Sequence, residues 1–240
     1  MSVHNQDLGS LFIHVPKAAG TSMSAVSWNR GSGHDTIAEY EARGILDDDL
    51  FVWAFVRNPF DRIAAAYEDC PELFDHFPTF DHFIVRIYNN RKKLDRIRSV
   101  RWRPGGIPDL GLNVSRIHFI PQNLLLRTKQ GILRPNFVGR FENLQEDFDK
   151  VSDRLGVDRQ VLPHRNKRKG KMRRRFSDLG ELYEKEPTRL MVAEIYQADL
   201  DWFRYGFPGE DECEFCGETK DEGTGKYGCP NCHGEGLETL

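Results

Sequence analysis

Lys17 is the residue from which chemistry reads most directly. It stands in Phe12-Ile13-His14-Val15-Pro16-Lys17-Ala18-Ala19-Gly20-Thr21-Ser22-Met23, where an apolar run gives way to small residues. A buried strand that empties into such a loop and then into a helix start makes an anion site. Backbone N–H groups of the first turn point outward, and the helix dipole favours negative charge. Ala18, Ala19 and Gly20 permit close backbone approach, Thr21 and Ser22 add hydroxyl donors, and Lys17 brings a movable positive charge. The pattern is not a Walker A loop, in which lysine follows a second glycine; here Lys17 precedes the only one. The plain alternative is a strand-to-helix connection with a surface lysine.

Arg57 is the second cation at a strand end. It follows the apolar run 51–56 and opens Arg57-Asn58-Pro59-Phe60-Asp61-Arg62. In open α/β sheets ligands bind outside the carboxyl ends of strands, and a guanidinium forks onto a phosphate better than an ammonium does. Arg62, a turn further on, either points to the same ligand or pairs with Asp61 or Glu68. Among eight histidines, one near neutral pH is the natural proton acceptor for a hydroxyl. His34 follows Gly31-Ser32-Gly33 and precedes a helix start at Thr36, while His14 lies inside a strand and reads as packed. His118 is the rival base.

Four of the five cysteines form two knuckles, Cys213-Glu-Phe-Cys216 and Cys229-Pro-Asn-Cys232, with twelve residues between them. That spacing suits four thiolates arranged tetrahedrally on a structural Zn²⁺, in the manner of a zinc ribbon. Residues 164–175, HRNKRKGKMRRR, are densely basic, and an acidic stretch follows from Gly209. The basic run reads as a solvated face or an attractor of an anionic acceptor. It lacks interleaved aromatics for base stacking.

Elements must hold these groups in place. Strands are expected over residues 11–15, 51–56 and 136–141. Helices are expected over 23–28, from Thr36, over 61–68 behind Pro59, and over 80–93, 144–155 and 188–200. Thr36 and Glu39 have capping-box spacing. Residues 98–113, rich in Arg, Pro and Gly, read as an exposed loop. Alternation of strand and helix predicts an α/β fold with a central parallel sheet flanked by helices, in a P-loop-like three-layer arrangement. It would occupy residues 1–208, with a zinc-ribbon-like module over 209–240. The 240 residues are 39% hydrophobic and 30% charged, enough for a core, and 34 basic against 37 acidic side chains exclude a wholesale nucleic-acid coat. No stretch approaches the roughly 20 apolar residues of a membrane span. No signal-peptide core precedes Leu11, so a soluble chain is expected.

The two anion motifs, HVPKAAGTS and FVRNPFDRIAAAY, resemble those of the membrane-type carbohydrate sulfotransferases and their small bacterial relatives. Further matches follow in order: GHDTIAEY around His34, IHFIPQ over 117–122, GRFENLQEDF over 139–148 and LPHRNK over 162–167. The resemblance spans about residues 11–207. It implies a donor, 3′-phosphoadenosine 5′-phosphosulfate, held at its phosphosulfate by residues 17–22 and at its 3′-phosphate by Arg57 and Arg62. It also implies His34 as base, Lys17 on the leaving phosphate and a carbohydrate hydroxyl as acceptor. Ala65 departs from the family, which has a serine there for the 3′-phosphate. Relatives often carry a membrane anchor; this chain is expected to be a cytoplasmic, bacterial or viral-type form, with its zinc tail free to recruit a protein partner. Two other readings remain open, a P-loop-like phosphotransferase and a non-catalytic zinc-containing binding protein.

Overall fold

The computed structural model describes residues 2–29, 34–69, 73, 76–94, 118–163, 179–208 and 237–238. A five-stranded sheet runs in the order β1 (Val3–Asn5), β2 (Ser10–Ile13), β3 (Phe51–Val56), β4 (Phe137–Arg140) and β5 (Leu237–Glu238). The three central strands are parallel, with Ile13 opposite Ala54 and Val56 opposite Arg140. β1 and β5 are antiparallel edges. The expected parallel sheet is therefore a parallel centre within a mixed sheet, with helices packed against it. Leu11, Ile13 and residues 52–55 have no exposed surface. A strand covered on both faces has no polar side to alternate with, which is why β2 and β3 read as continuous apolar runs.

Ten α-helices are described: α1 (Gly20–Met23), α2 (Ile37–Ala42), α3 (Pro59–Glu68), α4 (Phe80–Asn89), α5 (Arg91–Leu94), α6 (Asn123–Leu126), α7 (Leu144–Leu155), α8 (Leu179–Leu182), α9 (Glu186–Ile195) and α10 (Gln197–Phe203). β3 and α7 lie where the sequence places them. The capping box of α2 is formed, with Glu39 N donating to Thr36 Oγ1 at 3.2 Å and Thr36 N donating to Glu39 Oε2 at 2.9 Å. The helix expected over 23–28 instead ends at Met23. Beyond it the amides of Ala25, Val26 and Asn29 bond three residues back, and Ser24 Oγ donates to Thr21 O at 2.8 Å. Such a hydroxyl competes with the helical ladder. The expected helices 80–93 and 188–200 are each broken in two, at Asn90 and Tyr196.

Aromatic side chains fill both sides of the sheet. Phe12 and Trp53 have ring centroids 4.5 Å apart, and Trp28 stacks on Phe148 at 5.7 Å. Tyr67, Phe80, Phe83 and Phe119 form a second group beneath α3 and α4. The boundary expected after residue 208 separates a tail whose Leu237–Glu238 nonetheless extends the sheet beside β4. The four knuckle cysteines, Cys70, the basic run 164–175 and the loop 98–113 lie outside the described residues. No helix among the described residues is long and apolar enough to cross a membrane.

Gly139 sits opposite Phe55 in the β3–β4 register, where a Cβ would lie 2.4 Å from Phe55 Cε1. Gly139→Ala is expected to cost about 1–3 kcal/mol, read as a lower urea midpoint. An unchanged midpoint would show that the Phe55 ring can step aside.

Candidate active site

The loop after β2 owes its shape to where its carbonyls go. Val15 O accepts from Ala18 N at 3.2 Å, Pro16 O from Arg62 Nε at 3.0 Å, and Lys17 O from Arg57 Nη1 at 3.2 Å. The first bond closes the turn, and the next two carbonyls are fastened to guanidiniums from the rest of the protein. Lys17 and Ala19 both adopt φ 68°, in the left-handed region. For residues with a Cβ this conformation costs of order 1–3 kcal/mol and persists only where surroundings enforce it. The amides of Lys17, Ala19, Gly20 and Thr21 donate to no group among the described residues. Alternating backbone hand with free N–H groups is the geometry of an anion-binding nest. α1 is a single turn, so the concave loop, more than a helix dipole, supplies the donors.

Gly20 is required for packing. A Cβ there would lie 1.7 Å from His14 Nε2, so the His14 ring fills the space behind the loop. Ser22 does not face outward with the amides; its Oγ donates to Pro163 O at 3.1 Å. That contact joins the loop to the segment leading into the basic run.

Both strand-tip cations are already paired. Lys17 Nζ lies 2.6 Å from Asp69 Oδ2, and Asp69 is 38% exposed, so it can release the lysine to water. Arg57 Nε donates to Asp61 Oδ2 at 2.6 Å, and the Phe141 ring covers the guanidinium at 4.3 Å. Asp61, in the first turn of α3, therefore turns back to Arg57, which precedes the helix. Arg62 has no exposed surface; besides Pro16 O it donates through Nη1 to Ile120 O at 2.9 Å. In this arrangement it braces the loop from within.

Three histidines gather at the same end of the sheet. His14 and His34 have ring centroids 4.5 Å apart. Burial pulls His34 from 6.5 down to about 4, against a hydrogen bond to the His14 backbone and the nearby Asp35 carboxylate. His118 is also pulled to about 4, by burial first and then by the charges of Lys17 and Arg62. Burial also holds His14 well below its ordinary value, and a positive His34 lowers it further. The Nδ1 atoms of all three are buried without a partner among the described residues. Ser2 ties the His14 and His34 segments together: its Oγ accepts from His14 N at 3.0 Å and donates to Asp35 O at 2.9 Å. The short β1, which the polar N-terminal sequence did not signal, thereby places His34 beside His14.

The structure thus brings Lys17, Ala18, Ala19, Gly20, Thr21, Ser22, His34, Arg57 and Arg62 to one end of the sheet, beyond the tips of β2 and β3. Free amides, two cations and neutral imidazoles can receive an anion and accept a proton. Asp61, Asp69 and Gln122 join them; of these, Asp61 and Gln122 lay in motifs noted in the sequence, and Asp69 did not. Among the described residues no group of three or more His, Cys, Asp or Glu side chains could hold a metal.

This is the layout of a group-transfer site at the tips of parallel strands. The sequence model of the Sulfotransferase family matches residues 3–206. The chain belongs to that family. Comparison with curated proteins finds no match, and neither does comparison with solved structures. Membership implies sulfuryl transfer from a sulfonate donor to a hydroxyl acceptor.

The lowered histidines link folding to pH. Between about 4 and 6.5 the unfolded chain binds protons that folded His34 and His118 do not. Stability therefore rises with pH across that window and is lost as pH falls through it. Thermal unfolding from pH 7 to pH 4 is expected to show this slope, and His118→Gln is expected to flatten it. An unaltered slope in the variant would place the linked protons elsewhere.

Proposed function

We propose that the protein transfers a sulfuryl group from 3′-phosphoadenosine 5′-phosphosulfate to an acceptor hydroxyl, on a carbohydrate. The observation that carries this reading is the contact between the two anion motifs. Arg57 Nη1 lies 3.2 Å from Lys17 O, so loop 17–22 and the β3 tip form one continuous surface. The free amides of Lys17, Ala19, Gly20 and Thr21 fit a phosphosulfate. Arg57 supplies the fork for a 3′-phosphate, and Arg62 braces the loop. Ala65 offers no hydroxyl to that phosphate, which leaves Arg57 as its main electrostatic partner.

In the reaction the acceptor oxygen forms a bond to sulfur as the bond from sulfur to the bridging phosphate oxygen breaks. The acceptor proton passes to His34, and 3′-phosphoadenosine 5′-phosphate leaves. Negative charge grows on the bridging oxygen, where Lys17 and the loop amides stabilise it once Lys17 has left Asp69. Because burial keeps His34 neutral down to about pH 4, it can accept a proton across the physiological range. A positive His34 further disfavours charge on His14 and His118, so a proton on His34 leaves its neighbours neutral.

Transfer of labelled sulfate from the donor to a panel of glycans tests the assignment. No transfer to any glycan, together with no thermal stabilisation by 3′-phosphoadenosine 5′-phosphate, would overturn it; stabilisation by ATP in its place would favour a phosphotransferase. Lys17→Ala is expected to lower kcat by about 10²–10³-fold. His34→Ala should lower turnover by about 10²–10⁴-fold with little change in donor affinity. Equal loss of turnover and donor binding would remove His34 from the base role.

For the tail we propose structural Zn²⁺ on Cys213, Cys216, Cys229 and Cys232, a reading supported by the paired Cys-x-x-Cys spacing. Elemental analysis of the purified full chain should find one zinc per molecule, and chelation should leave sulfate transfer intact. Zinc retained when Cys213 and Cys229 are both replaced by serine would refute that ligand set.

A further inference from the structure

Arg57 stands one residue beyond the ladder. The β3–β4 register closes at Val56 opposite Arg140, so no strand neighbour satisfies the Arg57 main chain. A side chain does so instead. Gln122 Oε1 accepts from Arg57 N at 3.0 Å, and Gln122 Nε2 donates to Arg57 O at 2.8 Å. Gln122 has no exposed surface. Its carboxamide occupies the place of a missing strand residue, offering a donor and an acceptor as a peptide group would.

Gln122 is itself held from the other side. Its N–H donates to Asp199 Oδ2 at 2.6 Å, while Asn123 N and Nδ2 donate to Asp199 Oδ1 at 2.8 and 2.6 Å. Asp199 lies on α10 and is fully buried. The bond from Arg62 to Ile120 O fastens the same segment. A path of buried hydrogen bonds thus runs from α10 through Gln122 to the backbone from which the Arg57 guanidinium projects.

We propose that Gln122, anchored by Asp199, is a positioning residue for Arg57 and sets the preference of the site for nucleotides carrying a 3′-phosphate. The proposal rests on the reading that Arg57 receives that phosphate. Gln122 touches no ligand; it fixes the φ/ψ at the strand tip and hence the direction of the guanidinium, to which a bidentate contact is sensitive.

The test is a ratio of affinities, which general destabilisation does not move. Calorimetric titration of the full chain with 3′-phosphoadenosine 5′-phosphate and with 5′-AMP gives the 3′-phosphate preference. Gln122→Met, which removes both amide bonds at similar volume, is expected to reduce that preference by about tenfold or more. Affinity for 5′-AMP should stay within about twofold. Gln122→Glu keeps the acceptor and loses the donor, should fall between, and carries the measurement if the methionine variant does not fold. Arg57→Ala separates the two layers of the argument. If it leaves the preference intact, Arg57 is not the 3′-phosphate residue and the underlying reading fails. If it abolishes the preference while the Gln122 variants retain it, the positioning role is overturned. Equal weakening of both nucleotides in the Gln122 variants would also overturn it.

Discussion

A guanidinium with no exposed surface holds this site together. Arg62 projects from α3 between two chain segments that are remote in sequence, giving one N–H to Pro16 O and another to Ile120 O. Burial lowers its pKa, and the neighbouring Asp199 acts the other way. Left without its carbonyl partners, such a charge would cost several kcal/mol. The loop after β2 and the segment before α6 therefore stay where Arg62 needs them. The loop carbonyls and amides lie on one of those segments, and the Gln122 bonds to the Arg57 backbone on the other.

The strained turn follows from the same constraint. Lys17 and Ala19 sit in the left-handed region although neither is glycine. The conformation persists because Val15 O is held by Ala18 N within the turn, while Pro16 O and Lys17 O are claimed by the Arg62 and Arg57 guanidiniums. With its oxygens fixed inward, the loop can only present nitrogen outward. An anion-receptive surface is built in this way from backbone, at the expense of local strain, before any ligand arrives.

Much of this was legible in the sequence, and the exceptions have physical causes. β3 and α7 were readable because burial on both faces and helical periodicity leave strong patterns. The Thr36–Glu39 box was readable because capping is a local interaction. The edge strand β1 is three residues long, too short for a pattern, yet its neighbour Ser2 organises the histidines. Asn90 and Tyr196 break helices without glycine or proline to announce it. Arg62 was open between a ligand contact and a local ion pair, because an arginine in an amphipathic helix is ordinarily solvated. Its burial is a tertiary fact, as are the pairing of Lys17 with Asp69 and the reach of Gln122 across 65 residues to Arg57.

Asp61 and Asp69 give the resting protein a built-in competitor. Each carboxylate is tethered beside its cation, at an effective concentration that a dissolved monoanion reaches only in the millimolar range or above. A small anion able to approach just one of the two cations must displace its carboxylate for a single new contact. A molecule long enough to reach both displaces two carboxylates but loses its freedom of motion only once. On the proposed reading of Lys17 and Arg57 as ligand contacts, the acids beside them form a filter that favours an extended, doubly charged guest over isolated ions.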